Sequence, residues 1–276
     1  MLLDGKAIRN RIEETLKSKI RNFKEAPCLV VVMVGNNTAS EVYVRNKLKA
    51  CERVGIKAVV KKFPETITEK ELLEVIVKEN GNPKVNGLLV QLPLPVHIDR
   101  ENIMSAIDPA KDVDGLTTEN MGKLARGLKG IVPATPKGII RLLDEYQIPL
   151  SGKKALVIGK SNLVGKPTAL LLMQRDATVS VAHIKTTNLD ELARNADIIV
   201  TAAGAPNLLT GKNVSKGVVI VDVSTNLYES KIVGDVDFPS VNPLAKYISP
   251  VPGGVGPMTI ASLLENVVEC FEEQNK

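Results

Sequence analysis

Tyr43 and Lys47 stand four residues apart in ASEVYVRNKLKACERV, a segment whose apolar spacing predicts a helix over 39–54, so the two side chains share one face. A tyrosine and a lysine so placed can move protons beside a carbonyl or iminium carbon. Spacing alone favours a plainer reading, an exposed lysine beside a half-buried tyrosine. Position changes that balance. Both residues follow the apolar run CLVVVMV (28–34) at its carboxyl end, the edge at which parallel sheets hold ligands. Gln91 closes the run GLLVQ at the same edge, and Asp114 lies in the polar, turn-rich stretch DPAKDVDGLTTEN.

A second group of residues suits a dinucleotide. GKSNLVGKP follows the apolar run KKALVI and precedes a helix-period segment, the context that a phosphate-binding turn requires. Gly159 and Gly165 are present, while Ser161 and Val164 stand where a GxGxxG fingerprint has glycines. A β–α turn without a ligand is the competing reading of this loop. The next strand ends in VAHIKTTN, with no acid before Asp190 to take a ribose 2′-hydroxyl. His183 and Lys185 are there instead, and Lys160 sits in the loop. Basic groups suit a 2′-phosphate, so the pattern favours NADP over NAD. The alternative is solvated surface lysines and a histidine that caps its strand.

These residues need a frame, and the apolar pattern supplies one. Strands are predicted at 28–34, 57–63 and 87–91. Helices are predicted at 39–54, closed by Gly55, from the cap Thr68 to about Asn80, and near Arg100–Ile107. This βαβαβ order implies a parallel sheet covered by helices. A helix from about Thr135 to Tyr146 is expected to bridge to a second βα series, with strands at 153–158, 177–182, 197–202 and 218–223. A last helix is expected over 260–274. The expected fold class is α/β in two domains, an N-terminal three-layer domain and a Rossmann-type domain with a cleft between them. The first is expected to span 1–118 plus 258–276 and the second 119–257.

Composition narrows the class. The chain has 276 residues, 44% hydrophobic and 24% charged, enough for two domains of ordinary size. No apolar stretch is long enough to span a bilayer, and the start MLLDGKAIRN has no apolar core of a signal peptide, so no membrane partner is expected. The three cysteines, Cys28, Cys51 and Cys270, are odd in number and far apart, which points to a reducing, cytoplasmic compartment. Two histidines and no CxxC leave no metal site to expect. The net charge is +5, but aromatics are 3% and Trp is absent, so a small acidic ligand is favoured over nucleic acid.

The segments VGNNTASEVYVRNK, GLLVQLPLP, PAKDVDGL, GKSNLVGKP, VVIVDV followed by GDVDF, and PVPGGVGPMT closely resemble the methylenetetrahydrofolate dehydrogenase–cyclohydrolase family. They run in the family's order over nearly the whole chain. The resemblance implies a bifunctional enzyme of one-carbon metabolism. It would oxidise 5,10-methylenetetrahydrofolate with NADP and hydrolyse the 5,10-methenyl product to 10-formyltetrahydrofolate. It implies that Tyr43, Lys47, Gln91 and Asp114 are the active-site residues: Lys47 moves protons, Gln91 holds its amine, Asp114 binds the amino-pyrimidine edge of the pterin, and Tyr43 lies against the ring. It assigns Pro93, Pro252, Gly253 and Gly254 to the folate side. Gly159, Lys160, Ser161, Val164, Gly165, His183, Lys185 and Thr225 go to the cofactor. Tetrahydrofolate derivatives, with or without a polyglutamate tail, are the implied ligands, and a homodimer the implied assembly.

Three departures from the family's usual pattern stand out. Leu116, Thr117 and Thr118 follow Gly115 where the family often reads GFHP, Ala134 replaces a cysteine in PATP, and Ser224 and Thr225 give DVSTN where DVGIN is usual. Three rival functions remain at this point. One is a monofunctional dehydrogenase of the same family, against which Lys47 and Gln91 both speak. Another is a shikimate-type dehydrogenase, against which VQLPLP and PVPGGVGPMT speak. The third is a non-catalytic dinucleotide sensor.

Overall fold

The computed structural model describes residues 1–276, the side chain of Ala39 excepted. Two compact units form: Arg11–Ala134 with Ile260–Lys276, and Met1–Asn10 with Thr135–Thr259. In chain order the elements up to the first unit's end are α1 (Gly5–Ile20), β1 (Cys28–Val34), α2 (Thr38–Val54), β2 (Lys57–Phe63), α3 (Glu69–Asn80), β3 (Gly87–Val90), α4 (Arg100–Ser105) and α5 (Thr118–Ala125). The remainder are α6 (Ala134–Glu145), β4 (Lys154–Ile158), α7 (Gly165–Met173), β5 (Thr178–Ala182), α8 (Leu189–Arg194), β6 (Ile198–Thr201), β7 (Val219–Asp222), the hairpin strands β8 (Asn226–Tyr228) and β9 (Lys231–Val233), α9 (Phe238–Val241), β10 (Tyr247–Ile248) and α10 (Val255–Gln274).

The first unit holds a parallel sheet of order β2-β1-β3. Central β1 is buried from Leu29 to Val34, as a strand covered on both faces must be. Its neighbour β2 carries Lys61 and Lys62 at the sheet edge. Local chemistry fixes the helices between them. Asn37 caps α2 by accepting from Ser40 N, and Thr68 with Glu71 forms a reciprocal capping box on α3.

The turn-rich stretch after α4 is more ordered than its polarity predicts. Leu88 N donates to Lys111 O at 2.7 Å, so 111–113 runs beside β3. Buried Lys111 turns its ammonium onto the carbonyls of Glu79, Asn80 and Asn82, closing the end of α3. Asp112 Oδ2 accepts from Thr117 N and Asn120 Nδ2, which starts α5.

The unit limits differ from the sequence expectation at both ends, for identifiable reasons. Residues 119–134 stay with the first unit rather than starting the second. Asn120 also reaches Pro109 O, and Asn266 of α10 donates to the carbonyls of Val113 and Val132. Residues 1–10 belong to the second unit: Leu3 N donates to Ile248 O at 2.9 Å, and Leu2 bridges Ile248 in parallel, extending the sheet at β10.

The second unit holds a five-stranded parallel sheet, β10-β7-β6-β4-β5. Counted from its own first strand, the order is the doubly wound 2-1-3-4-5, which reverses direction between β4 and β6. That switch point is where such sheets open a crevice beyond their carboxyl ends.

Asn266 has a particular load, because both carbonyls it serves flank the segment that bears Asp114. Asn266→Ala is expected to lower stability by about 1–3 kcal/mol, read from the urea midpoint, since a buried donor is lost and two acceptors are left. A variant as stable as the wild type would show that the two bonds carry no weight.

Candidate active site

The first unit gathers three of the four expected reactive residues. Gln91 N donates to Val32 O at 2.8 Å, so β3 pairs with β1 for one residue beyond its end. Ser40 Oγ donates to Leu92 O at 3.3 Å and ties the first turn of α2 to the segment after β3. Lys47, two turns further along α2, donates from Nζ to Gln91 Oε1 at 3.0 Å. Gln91 Nε2 donates in turn to Leu92 O at 2.8 Å. A donor on one side and an acceptor on the other fix the amide in one orientation. Gln91 therefore holds one N–H of Lys47, and a neutral amine keeps its lone pair for a proton elsewhere.

Asp114 enters through a turn that only glycine can make. Gly115 has φ +67, and a Cβ there would lie 2.7 Å from Pro133 N. The two reactive charges then act on each other. Burial lowers the pKa of Lys47, and the Asp114 carboxylate opposes that shift. Burial raises Asp114, Lys47 opposes it, and Asp112 adds to it. Cys51, one turn past Lys47, is buried with its thiol pushed up to about 12, so it offers no competing thiolate. Tyr43 is 49% exposed. Pro93 is exposed and follows a cis Leu92–Pro93 bond.

The expected cofactor residues lie in the second unit. Gly159 ends β4 with φ +123, and a Cβ on it would meet Ala202 O at 2.6 Å. A Cβ on Gly165 would overlap the Gly159 carbonyl. The two glycines thus let the loop turn tightly against the end of β6, with no side chain at either position, which fits a dinucleotide. The first amides of α7 are already engaged, because Ser161 Oγ accepts from Val164 N at 3.1 Å and Gly165 N at 3.4 Å, and Ser161 O accepts from Lys166 N. The Ser161 hydroxyl still has its proton to donate, and Ser161 and Lys160 are both exposed.

At the end of β5, His183 and Lys185 form a tight turn: Lys185 N donates to His183 Nδ1 at 3.1 Å and His183 N to Thr186 Oγ1 at 2.9 Å. Lys185 is exposed. Asp190, the first acid after β5, is engaged by Asn213 Nδ2 at 3.1 Å. No carboxylate thus ends β5 to receive a 2′-hydroxyl. Thr225 is exposed just after β7. Pro252 is exposed, Gly253 partly buried and Gly254 buried in the turn before α10.

Sequence reasoning passed over the polar groups behind these residues. Asp112 is fully buried, and its Oδ1 has no hydrogen-bond partner. Asp222 and Asp235 are buried behind the loops after β6 and β7. Asp112 and Asp235 lay in the motifs KDVDG and GDVDF, where a second acid beside a first gives no sign of which one is buried, and Asp222 lay at the end of the apolar run VVIVDV. Among the described residues, no group of three or more His, Cys, Asp or Glu could hold a metal, and no helix is long and apolar enough to cross a membrane.

Comparison with known proteins is consistent across the chain. Residues 3–114 match the family described as tetrahydrofolate dehydrogenase/cyclohydrolase, catalytic domain, and residues 133–275 its NAD(P)-binding domain. The chain is 48% identical to the bifunctional protein FolD of Nautilia profundicola, over 98% of this chain and 96% of that one. A crystal structure of the bifunctional enzyme FolD from Campylobacter jejuni superimposes with TM-score 0.98 at 51% identity, covering 99% of each chain. The Trypanosoma brucei dehydrogenase-cyclohydrolase, solved with NADP cofactor and inhibitor, superimposes with TM-score 0.96 at 34% identity, covering 100% of this chain and 98% of that one.

The glycine loop yields a direct test. Gly165→Ala must push the Gly159 carbonyl aside, and is expected to weaken NADPH binding about tenfold or more in a fluorescence titration. Binding at wild-type affinity would show that the loop does not contact the dinucleotide.

Proposed function

The chain belongs to the tetrahydrofolate dehydrogenase/cyclohydrolase family, and from that premise we propose how its residues divide two reactions. It is a bifunctional enzyme. It oxidises 5,10-methylenetetrahydrofolate to the 5,10-methenyl cation with NADP, and hydrolyses that cation to 10-formyltetrahydrofolate. Bound NADP supplies the hydride acceptor for the first reaction. The observation that carries the residue assignment is the Lys47–Gln91 hydrogen bond beside the Lys47–Asp114 electrostatic pair.

Hydride transfer asks little acid–base chemistry of the protein. Its residues hold the folate and exclude water. Asp114 takes the amino-pyrimidine edge, where a carboxylate suits two N–H donors. Tyr43 lies against the pterin ring, and Pro93, Pro252, Gly253 and Gly254 contact the folate. On the cofactor side Gly159, Val164 and Gly165 give the pyrophosphate its approach, Ser161 and Lys160 donate to phosphate oxygens, His183 and Lys185 face the 2′-phosphate, and Thr225 contacts the nicotinamide half.

Hydrolysis needs a base. Water attacks the methenyl carbon, and the neutral Lys47 amine takes its proton. The C–N5 bond then breaks as the new hydroxyl loses its remaining proton to solvent and becomes the formyl C=O on N10, and N5 receives a proton from the Lys47 ammonium. One proton is released overall. An exposed lysine stays charged near neutral pH, but burial depresses Lys47, and a cationic substrate beside it acts in the same direction. The Gln91 bond keeps the amine in place through both transfers.

We also propose a cytoplasmic enzyme acting on folates with or without polyglutamate tails, as a homodimer. Support comes from three free cysteines and from the family. Light scattering should give twice the 29.8 kDa chain mass, and a monomer would refute the dimer.

The decisive experiment follows the methenyl absorbance with NADP and with NAD. Lys47→Met should lose the hydrolysis by at least about 10²-fold and accumulate methenyl product. Hydrolysis near the wild-type rate in a folded Lys47→Met protein would remove Lys47 from the mechanism. Wild-type hydrolysis should rise with pH as Lys47 loses its proton, along a limb below the ordinary lysine value of 10.5. Asp114→Ala should raise the folate KM and leave NADP affinity unchanged.

A further inference from the structure

Ser224 is one of the departures from the family's usual pattern, and the reactions just described make no use of it. Its hydroxyl is a link between two loops. It donates to Asp235 Oδ2 at 2.7 Å and accepts from Gly204 N at 3.1 Å. Gly204 follows β6, and Ser224 follows β7. Asp235 is fully buried and binds both loops: Oδ2 also accepts from Thr201 Oγ1 and Ala203 N, and Oδ1 from Ala205 N and Asn226 Nδ2. Five donors thus converge on its two oxygens. Ser224 N reaches the neighbouring Asp222 Oδ1 at 3.3 Å, so the residue is held by its backbone as well.

The sheet order says what these loops face. The pyrophosphate belongs at the loop after β4, and the adenosine ribose at the end of β5, on one side of it. The other half of a dinucleotide must extend the opposite way, over the ends of β6 and β7. Contact between the loops is continuous in that direction. Gly159 abuts the Ala202 carbonyl, and two residues on Gly204 is bound to Ser224.

We propose that Ser224 is a positioning residue for the dehydrogenase reaction, its hydroxyl fastening the loop after β6 to the loop after β7 so that both meet the nicotinamide half of NADP in one fixed conformation. This deepens the function proposed above and rests on it. Gly204 has φ +69, and its own N–H is served by Ser224, between Ala203 and Ala205, whose amides Asp235 holds. Without the hydroxyl the Gly204 N–H loses its partner in the middle of that turn while Asp235 still holds the turn's sides, and the cofactor must fix the Gly204 peptide again at a cost in affinity.

The test compares Ser224→Ala with Ser224→Thr, which restores a hydroxyl. NADPH titration, the NADP and folate KM values and the rate of methenyl hydrolysis are measured on each full-length protein. Ser224→Ala should raise the NADPH Kd and the NADP KM about five- to tenfold. The folate KM and the hydrolysis rate should stay within about twofold of wild type, and Ser224→Thr should recover most of the loss. Wild-type affinity in Ser224→Ala overturns the proposal. So does equal weakening in both variants, or a parallel fall in hydrolysis, which would mark a general structural defect. A wild-type chain that oxidised no methylenetetrahydrofolate with NADP would overturn the underlying function, a result distinct from either.

Discussion

Everything at the reactive end of the first unit follows from burying an amine and a carboxylate where each feels the other. Alone, a buried lysine would give up its proton and a buried aspartate would keep one. Together, Lys47 and Asp114 each restrain the other's shift. Each therefore holds the other nearer its charged form than burial alone would leave it. Removing either partner would leave the other as an uncompensated charge or force it neutral. Neither residue can be read as a separate functional group.

The frame that presents this pair is economical. Central β1 carries no chemistry of its own, yet α2 starts from its carboxyl end, Gln91 pairs with it, and Asp114 arrives by a segment laid beside β3. The second unit repeats the device with different contents. β4 feeds a glycine loop, and β6 and β7 feed loops held from behind by a buried acid. In both, apolar parallel strands supply the frame, and the candidate residues stand on the segments that follow their carboxyl ends.

How much of this was legible depended on the length scale of each feature. β1, β2 and α3 were readable because a long apolar run marks β1, Gly55 and the β-branched Val59–Val60 mark β2, and a Thr68 cap marks the start of α3. Lys47, Gln91 and Asp114 were legible as types in a recognisable order. Helix α1 went unread although Ile8, Ile12, Leu16 and Ile20 are all buried at a spacing of four, a signal that was present. Helix α5 was hidden because TTENMGKLA is mostly polar and its start depends on Asp112, six residues before it. The strands β8, β9 and β10 are too short to show a period. The attachment of Leu2 and Leu3 to Ile248 joins segments remote in sequence, and no local pattern encodes it.

The buried acids separate into two kinds, and the distinction explains where reactivity resides. Asp235 receives five donors and is saturated; its charge is spent on holding loops. Asp222 accepts from three backbone amides, yet burial outweighs them and pushes it up to about 6, so it too is committed to the interior. Asp112 is different. One oxygen receives two donors and the other receives none, two residues from Asp114. A buried oxygen without a donor is costly. Asp112 also raises Asp114 against the pull of Lys47. Acids with both oxygens served therefore hold the loops of the second unit, while in the first an acid with one unserved oxygen stands two residues from Asp114 and acts on the Lys47–Asp114 pair.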